Sequence, residues 1–221
     1  SARAMVVKSL EEYIEKAAVL VEALPYIQSF RNKTVVIKYG GSTMGEGPEG
    51  DTVLKDIVFM ESVGMRPVVV HGGGPAIDRR LKEKGIETKR VNGLRITDEA
   101  VMEVVEEILF GEVNAGIVKQ INQVGGRAVG VSARDAGVLN VRKHFADTPN
   151  GPIDIGFVGE VESVDPVPLL RLVETDAIPV VAPIGKGDGG APYNVNADAA
   201  AGEVAAALQA EKLVFLTDVT G

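Results

Sequence analysis

The stretch Pro67-Val-Val-Val-His-Gly-Gly-Gly-Pro75 decides the fold of this 221-residue chain, because three consecutive glycines there join a short apolar strand to a helix. Glycine lets the main chain approach a ligand closely. Pro75 suits the first turn of a helix, whose free N–H groups attract negative charge. The stretch therefore predicts a backbone-built site for a phosphate or a carboxylate. A tight strand-to-helix turn without a ligand is the alternative.

Short β-branched runs alternate with helical patterns along the chain. The runs cover residues 34–38, 67–71, 127–131, 178–182 and 212–216. Such alternation predicts an α/β fold with a mainly parallel sheet, and runs that are apolar on both faces predict helices on both sides of it. Functional residues are expected at the carboxyl ends of the strands.

Two other regions have patterns of their own. Residues 101–109 place apolar side chains on one helical face, with Thr97 as the expected cap and with Asp98 and Glu99 in the first turn. Residues 138–162 contain two apolar runs separated by a polar loop, which predicts an antiparallel hairpin.

The amino-terminal segment predicts an amphipathic helix over residues 9–25. Ser9 and Glu12 have the spacing of a capping box, and Leu10, Ile14 and later apolar residues recur at helical intervals as far as Pro25. This helix packs either on its own domain or on another subunit. Residues 1–8 are expected to be a tail or a tag remnant.

Composition excludes several classes of function. The chain has no cysteine, which rules out thiol catalysis and thiolate metal sites and fits a reducing compartment. No apolar run approaches the ~20 residues that span a bilayer, and residues 1–8 lack the apolar core of a signal peptide. The net charge of -8 disfavours nucleic-acid binding. We expect a cytoplasmic protein, or a protein of the plastid stroma if the source is a plant, with no nucleic-acid or membrane partner.

Two stretches match the dinucleotide-binding spacing G-x-G-x-x-G but lack its context. Residues 45–50 include two glutamates, which would repel a pyrophosphate, and residues 185–190 do not lead directly into a helix. We interpret the first as a polar loop and the second as a turn. The chain also lacks the P-loop motif.

Lys38 ends the first predicted strand and is followed by Gly40 and Gly41. If this strand lies parallel and adjacent to the strand before His71, both glycine loops open at the same edge of the sheet. A lysine beside a group of N–H donors could then stabilise a phosphoryl group in transfer. A solvated lysine at a strand end is the alternative.

Three further segments carry polar groups suited to binding. Asn194, Asn196 and Asp198 precede an alanine-rich helix, where ordinary helix capping is the alternative to ligand binding. Arg95 lies two residues ahead of the expected cap and could hold a carboxylate through two parallel hydrogen bonds. A surface salt bridge from Arg95 to Asp98 or Glu99 is the alternative.

Five motifs, in this order and spacing, resemble the N-acetylglutamate kinases of the amino acid kinase family. They are Lys38-Tyr-Gly-Gly, His71-Gly-Gly-Gly-Pro, Asn92-Gly-Leu-Arg, Asn194-Val-Asn-Ala-Asp and Leu216-Thr-Asp-Val-Thr-Gly221. The resemblance implies a three-layer αβα sandwich with a mainly parallel central sheet. It also implies an acyl-acceptor domain over residues 26–205 and the beginning of an ATP-binding domain over residues 206–221.

The resemblance further implies transfer of the γ-phosphoryl group of ATP to the side-chain carboxylate of N-acetyl-L-glutamate, a step of arginine biosynthesis. A carboxylate with a pKa of ~4.3 is already ionised at pH ~7, so the reaction needs no general base. It needs positioning and charge stabilisation.

The resemblance assigns a role to each matching residue. Lys38 and Asp198 would be catalytic, the lysine neutralising charge on the phosphoryl group and the aspartate orienting it. Arg95 would hold the α-carboxylate of the substrate. The other substrate-binding residues would be Gly72, Gly73 and Gly74, whose N–H groups hold the reacting carboxylate and the phosphoryl oxygens, together with Asn194 and Asn196.

The implied nucleotide-binding residues are Gly40, Gly41, Thr217, Asp218 and Gly221. ATP and Mg²⁺ are the implied cofactors, with Mg²⁺ bound through phosphate oxygens and no metal site made by the protein. The family carries a second phosphate-binding lysine and most of its ATP domain beyond the point that matches Gly221. We therefore expect a carboxyl-terminally truncated chain that is inactive as written.

The helix over residues 9–25 resembles the extension of arginine-inhibited, hexameric family members. Feedback inhibition by arginine and a homo-oligomer, either a dimer or a hexamer, are therefore hypotheses. Two other functions remain open: another kinase of the same family, and a noncatalytic module that binds N-acetylglutamate.

Overall fold

The computed structural model describes residues 2–40 and 48–216, and it describes the side chains of residues 10–40 and 52–216. The α-helices within these ranges are α1 Ala2–Phe30, α2 Pro48–Ser62, α3 Gly74–Glu83, α4 Glu99–Glu106, α5 Ala115–Gln123, α6 Val167–Val173 and α7 Ala197–Ala207. A π-helix, Glu107–Asn114, joins α4 to α5. The strands are β1 Thr34–Tyr39, β2 Arg66–His71, β3 Arg90–Val91, β4 Leu94–Arg95, β5 Ala128–Ser132, β6 Leu139–Ala146, β7 Ile153–Val164, β8 Ile178–Ala182, β9 Ile184–Lys186, β10 Pro192–Val195 and β11 Lys212–Phe215.

The central sheet is entirely parallel, with the strand order β11-β1-β2-β8-β5. All five predicted runs are strands of this sheet, with ends that agree to within one residue. Lys38 lies in register between Val70 of β2 and Phe215 of β11. The carboxyl ends of β1 and β2 are therefore adjacent, as the prediction for Lys38 and the triple glycine required.

Helices cover both faces of this sheet, which confirms the predicted three-layer αβα sandwich. On one face, Val36, Val68 and Val70 pack against residues of α6 and α7, including Leu169 and Val204. On the other face, the alternate strand residues Val35, Ile37 and Val69 pack against Leu54 and Ile57 of α2 and Ile121 of α5. Side chains of successive strand residues point to opposite faces, so apolar runs of this kind fill two cores at once.

A small four-stranded barrel stands beside the central sheet, with the strand order β10-β7-β6-β9. Its longest strands, β6 and β7, pair in antiparallel fashion, which confirms the predicted hairpin in residues 138–162. Strands β9 and β10 are antiparallel and are joined through a 3₁₀ turn at Asp188–Gly190. The glycine pattern at residues 185–190 is therefore a turn, as expected. The expected polar loop at residues 45–50 is wrong for residues 48–50, which begin α2, while residues 45–47 lie outside the described residues.

The helical region after β4 differs from the prediction in two ways. Asp98 caps α4, because its Oδ1 accepts a hydrogen bond from the N–H of Val101 at 2.9 Å. The expected cap, Thr97, is wrong: its hydroxyl is fully buried and donates to the carbonyl of Arg95. The helix also continues past residue 109, through the π-helix, into α5.

Helix α1 is longer than the predicted 9–25 segment at both ends, so both predicted bounds were wrong. It begins at Ala2, and Pro25 lies inside it. A proline removes one backbone hydrogen bond from a helix interior, which normally ends or kinks the helix. Here Ala23, Ile27 and Phe30 share one face and are partly buried, and Phe30 packs against the core beneath α2. That tertiary contact supports the helix beyond the proline.

The expected boundary between residues 205 and 206 falls inside α7, which ends at Ala207. Within residues 2–40 and 48–216, no helix has both the length and the apolar character needed to cross a membrane.

Candidate active site

The triple glycine leads directly from β2 into α3, with Pro75 in the first turn of the helix as predicted. The N–H of Gly72 donates to the carbonyl of Tyr39 at 2.9 Å, and the carbonyl of Gly73 accepts from the N–H of Ile77 at 3.0 Å. In the part of the chain that the structure describes, the N–H groups of Gly73 and Gly74 make no hydrogen bond. Free N–H groups at a helix start are suited to an anion.

A cavity of about 180 Å³ lies beside this loop. All six residues predicted to bind the substrate line it, namely Gly72, Gly73, Gly74, Arg95, Asn194 and Asn196. Its apolar wall includes Ile77, Leu94, Leu109, Val158 and Pro183. The structure thus brings together N–H donors, a guanidinium, amides and aliphatic side chains around one cavity.

Arg95 reaches the cavity from the hairpin of β3 and β4. The connecting residues Asn92 and Gly93 have φ angles of 50° and 80°, and turns with two positive φ values fit the twist of a tight hairpin. The side chain of Arg95 is only 4% exposed and forms an ion pair with Asp78. Its Nη2 also donates to the carbonyl of Gly74 at 3.3 Å. The alternative of a surface salt bridge to Asp98 or Glu99 was therefore wrong.

A second arginine shares the carboxylate of Asp78. Arg90 lies opposite Arg95 across the hairpin and lines the same cavity, and its Nη2 is 3.0 Å from Oδ2 of Asp78. Burial by itself would raise the pKa of Asp78, but hydrogen bonds and charge from Arg95 and Arg90 lower it below its ordinary value. Two guanidinium groups against one carboxylate leave a net positive charge beside the cavity.

The sequence interpretation missed Arg90 and Asp78. The Asn92-Gly93 pair was a usable signal for Arg90, because a two-residue turn puts Arg90 and Arg95 in register. No local pattern pointed to Asp78, which lies on α3.

The two asparagines differ in their partners. Asn196 caps α7, since its Oδ1 accepts from the N–H groups of Asp198 and Ala199 at 2.9 Å and 3.0 Å. The capping alternative is therefore confirmed for Asn196. Asn194 lies on β10 in register with Val158 of β7. Within residues 2–40 and 48–216, its side-chain amide has no hydrogen bond, so it is available to a ligand at the cavity.

Lys38 and Asp198 form an ion pair with 3.0 Å between Nζ and Oδ1. Lys38 does not line the cavity, but it lies close to the glycine loop. A methyl group added at Gly40 would be 3.2 Å from Nζ of Lys38 and 3.6 Å from the backbone nitrogen of Gly72. The side chain of Lys38 is only 18% exposed, which is not the solvated lysine of the alternative interpretation.

The predicted nucleotide-binding residues are only partly described. Gly40 is buried beside Lys38, while Gly41, Thr217, Asp218 and Gly221 lie outside the described residues. The N–H of Leu216, the last described residue, donates to the carbonyl of Lys38 at 3.2 Å. In the described ranges, no group of three His, Asp or Glu side chains could hold a metal ion.

One buried polar cluster behind the glycine loop was also missed. His71 is fully buried, and its Nδ1 lies 2.7 Å from the carbonyl oxygen of Gly72. Its Nε2 lies 3.0 Å from Nδ2 of Asn114, at the end of the π-helix. Burial lowers the pKa of His71 to about 4, although the hydrogen bond to the Gly72 carbonyl acts in the opposite direction. The imidazole is therefore neutral at pH ~7.

Comparison with known protein families and curated relatives gives consistent matches. The family model described as the amino acid kinase family matches residues 33–221. Acetylglutamate kinase from Carboxydothermus hydrogenoformans is 50% identical over 216 residues, which cover 96% of this chain and 74% of that protein. Acetylglutamate kinase from Thermoanaerobacter pseudethanolicus is 54% identical over 208 residues, covering 94% of this chain and 68% of that protein.

Solved structures agree at the level of the fold. N-acetylglutamate synthase from Neisseria gonorrhoeae, complexed with coenzyme A and N-acetyl-glutamate, aligns with a TM-score of 0.79 and 28% identity over 93% of this chain and 46% of that chain. Carbamate kinase from Giardia lamblia bound to AMP-PNP aligns with a TM-score of 0.54 and 13% identity, over 86% of this chain and 72% of that chain. The second likeness supports the fold alone.

Proposed function

The chain belongs to the amino acid kinase family, among the acetylglutamate kinases, and from this premise we propose how its cavity works. The reaction is transfer of the γ-phosphoryl group of ATP to the side-chain carboxylate of N-acetyl-L-glutamate, which gives N-acetyl-L-glutamyl 5-phosphate and ADP. The observation that carries the assignment of the site is one cavity shared by two free glycine N–H groups, a buried arginine and the unbonded amide of Asn194.

Each part of the acceptor has a matching part of the cavity. The α-carboxylate faces Arg95, which uses only part of its five-donor guanidinium on Asp78 and Gly74. Arg90 adds a second positive charge. The amide of Asn194 binds the acetamido group, and Asn196 lines the same cavity. The methylenes and the acetyl methyl lie against the aliphatic wall.

The reacting carboxylate lies at the glycine loop. It is ionised at pH ~7 and attacks without a general base. The N–H groups of Gly73 and Gly74 hold it, together with the phosphoryl oxygens that it approaches. The N–H of Gly72 is already bonded to the carbonyl of Tyr39, so it is not available to the ligand. Gly72 contributes because it has no side chain, which leaves room for the ligand beside the backbone.

Lys38 and Asp198 are the catalytic pair. The ammonium of Lys38 neutralises negative charge on the phosphoryl group as two anions are brought together. Asp198 holds that ammonium at the edge of the sheet through the 3.0 Å ion pair. Positioning and charge stabilisation thus supply the catalysis, which accords with a neutral, buried His71 that has no role as a base.

Membership of a kinase family implies the use of ATP. We assign Gly40, Gly41, Thr217, Asp218 and Gly221 to nucleotide binding, and we divide the chain into an acceptor domain over residues 26–205 and the start of an ATP domain over residues 206–221. Mg²⁺ bound with ATP would shield the phosphate charge, and we expect its ligands to be mainly phosphate oxygens.

Helix α1 supports a homo-oligomer. Leu10, Ile14, Val21 and Leu24 share one helical face and are 48–69% exposed, and an exposed apolar row of this length favours contact with another subunit. We propose that α1 packs on a second copy of the chain and that arginine inhibits the assembled protein. Sedimentation that shows only monomers, or unchanged activity in millimolar arginine, would remove the corresponding part of this proposal.

Titration calorimetry with matched ligands tests the acceptor assignment. N-acetyl-L-glutamate should bind. L-glutamate should bind far more weakly, because it lacks the acetyl group that faces Asn194 and the aliphatic wall, and its ammonium would leave the amide of Asn194 without the acetamido partner. N-acetyl-L-glutamine tests the glycine loop, since a neutral amide gives less to N–H donors than a carboxylate does. Equal affinity for all three ligands, or tighter binding of aspartate or UMP, would contradict the proposal.

A further inference from the structure

The buried pair His71 and Asn114 lies directly behind the glycine loop and takes no part in the chemistry proposed above. His71 is the last residue of β2, and Asn114 is the last residue of the π-helix. Both side chains are buried, with exposures of 0% and 2%. A buried polar pair of this kind has to satisfy its hydrogen bonds within the protein, and the way it does so determines the orientation of its neighbours.

Two independent hydrogen bonds define the proton positions in this pair. The carbonyl oxygen of Gly72 only accepts hydrogen bonds, so Nδ1 of His71, 2.7 Å away, carries the proton. The carbonyl of Val180 also only accepts, so the Asn114 atom 2.8 Å from it is the amide nitrogen. That same nitrogen lies 3.0 Å from Nε2 of His71, which therefore accepts and has no proton. Both constraints lead to one tautomer of the imidazole.

The bond from His71 has a consequence on the far side of the same peptide unit. A trans peptide is planar, and its C=O and N–H groups point in opposite directions. His71 draws the carbonyl of Gly72 toward the buried side. The N–H of Gly73, which belongs to that peptide, is then directed away from His71, and Gly73 itself lines the cavity.

The π-helix supports the loop at a second point. Leu109 lies so close to Gly73 that a methyl group added to the glycine would be 2.5 Å from Cδ2 of Leu109. The wider turn of a π-helix is uncommon and is found frequently at functional sites. Here it allows Leu109 to meet the loop and Asn114 to meet His71 from the same segment.

Ion pairs attach this segment to the helix that follows the loop. Arg80 of α3 pairs with Glu107 and, at 3.0 Å, with Glu112. Lys84 also pairs with Glu107, at 3.1 Å. On the opposite side, Gly130 of β5 leaves space for Asn114, because a methyl group there would be 2.3 Å from Oδ1. The position of Asn114 is thus restricted by α3, β5 and β8 together.

We propose that His71 and Asn114 are positioning residues, which hold the Gly72–Gly73 peptide so that its N–H points into the cavity before any ligand arrives. The identity of the anion that this N–H receives rests on the proposed function. The positioning itself rests on the hydrogen bonds above. A donor that is already oriented costs no reorganisation when charge develops on the ligand, which is the physical basis of an oxyanion hole.

Three substitutions separate positioning from simple packing. His71→Asn keeps an N–H donor at the place of Nδ1, whereas His71→Leu has a similar size and no donor. Asn114→Leu removes the bond to Nε2 of His71. Asn122→Leu is the matched control, because Asn122 also joins a helix to the sheet, accepting from the N–H of Ala128 at 2.7 Å, but it lies away from His71.

Calorimetry with N-acetyl-L-glutamate gives the first readout. We expect His71→Leu and Asn114→Leu to weaken binding about tenfold or more, since hydrogen bonds to charged groups are the stronger ones. His71→Asn should stay within about threefold of the wild type, and Asn122→Leu should not change affinity, although all four variants lose stability. Equal losses in His71→Asn and His71→Leu, or an equal loss in Asn122→Leu, would overturn the proposal.

Nuclear magnetic resonance of the wild-type chain gives a readout that does not depend on the variants folding. The proposal requires a proton on Nδ1 and none on Nε2 of His71 at pH ~7. It also requires the Gly73 amide proton to shift downfield when N-acetyl-L-glutamate binds. A proton on Nε2, or an unmoved Gly73 amide in a complex that has formed, would overturn it. If the wild type binds no N-acetyl-L-glutamate, the proposed function fails instead, and the tautomer still tests the positioning.

Discussion

The ammonium of Lys38 lies 3.0 Å from a carboxylate oxygen of Asp198, so the carboxyl end of β1 is joined directly to the first turn of α7. A second ion pair, with 3.4 Å between its charged atoms, joins Lys33 to Glu211. These two residues directly precede β1 and β11. Only the first pair is next to the glycine loop. The two ion pairs lie at opposite ends of β1, so they allow a direct comparison between a functional contact and a structural one.

Replacing Asp198 with alanine should impair phosphoryl transfer more than acceptor binding. The loss of the ion pair frees the Lys38 side chain, and we expect kcat to fall about tenfold or more. Affinity for N-acetyl-L-glutamate should stay within about twofold. The carboxylate is 59% exposed, so stability should change by no more than about 1 kcal/mol. Steady-state kinetics, in a protein that carries the complete ATP domain of the family, and a melting curve measure these effects. An equal fall in kcat for Glu211→Ala would argue against a special role for Asp198.

Replacing Arg95 with alanine should weaken the binding of N-acetyl-L-glutamate about 10- to 100-fold, because a buried charged donor to the α-carboxylate is lost. Calorimetry measures the affinity directly. Arg142→Ala is a suitable control, since Arg142 forms one exposed ion pair with Glu160 and does not line the cavity. Unchanged affinity in Arg95→Ala would refute the role assigned to this arginine.

Replacing Gly40 with alanine should displace the Lys38 ammonium, because the new methyl group would lie 3.2 Å from Nζ and 3.3 Å from Cε. We expect kcat to fall while affinity for the acceptor changes little, which a comparison of kcat and KM would reveal. Gly202 of α7 provides the control, because a methyl group there meets no side chain or distant backbone atom of the described residues within 4 Å. Gly202→Ala should raise stability by about 0.5–1 kcal/mol and leave kcat unchanged.

The buried imidazole of His71 should make stability depend on pH. Its pKa is lowered to about 4 in the folded protein and is ~6.5 in the unfolded chain. Between these pH values the unfolded chain binds a proton that the folded protein does not. The stability that the neutral imidazole contributes is therefore complete above pH ~6.5 and is lost as the pH falls toward about 4. Relative to His71→Asn, the wild type should lose about 2 kcal/mol between pH ~7.5 and pH ~5. Urea unfolding at both pH values measures this. Parallel pH dependence of the two proteins would contradict it.

Much of the fold follows from local patterns. The five strand runs alternate with helices and are apolar on both faces, and all five lie in the parallel sheet. Lys38 and the triple glycine lie at adjacent strand ends, as expected of parallel neighbours. Arg95 and Asn194 also line the expected cavity. These features were predictable because strand periodicity and glycine turns act over a few residues.

The helical boundaries were less predictable, because contacts distant in sequence decide them. Pro25 indicated the end of α1, but Phe30 packs against the core beneath α2 and the helix continues. The π-helix has no signal in the apolar pattern. It depends on contacts of Leu109 and Asn114 with residues far away in the chain.

The sequence by itself determined where backbone N–H groups, a lysine and an arginine would meet at one edge of a parallel sheet. Glycine, proline and β-branched residues restrict the local backbone strongly enough for that. Only the tertiary structure decided which partners hold these groups in place: Asp78 beside Arg95, Asp198 beside Lys38, and Asn114 with His71 behind the glycine loop. Polar side chains pair with the groups that tertiary packing brings within about 3 Å. Those groups are distant in the sequence, so a pattern over a few residues does not predict them.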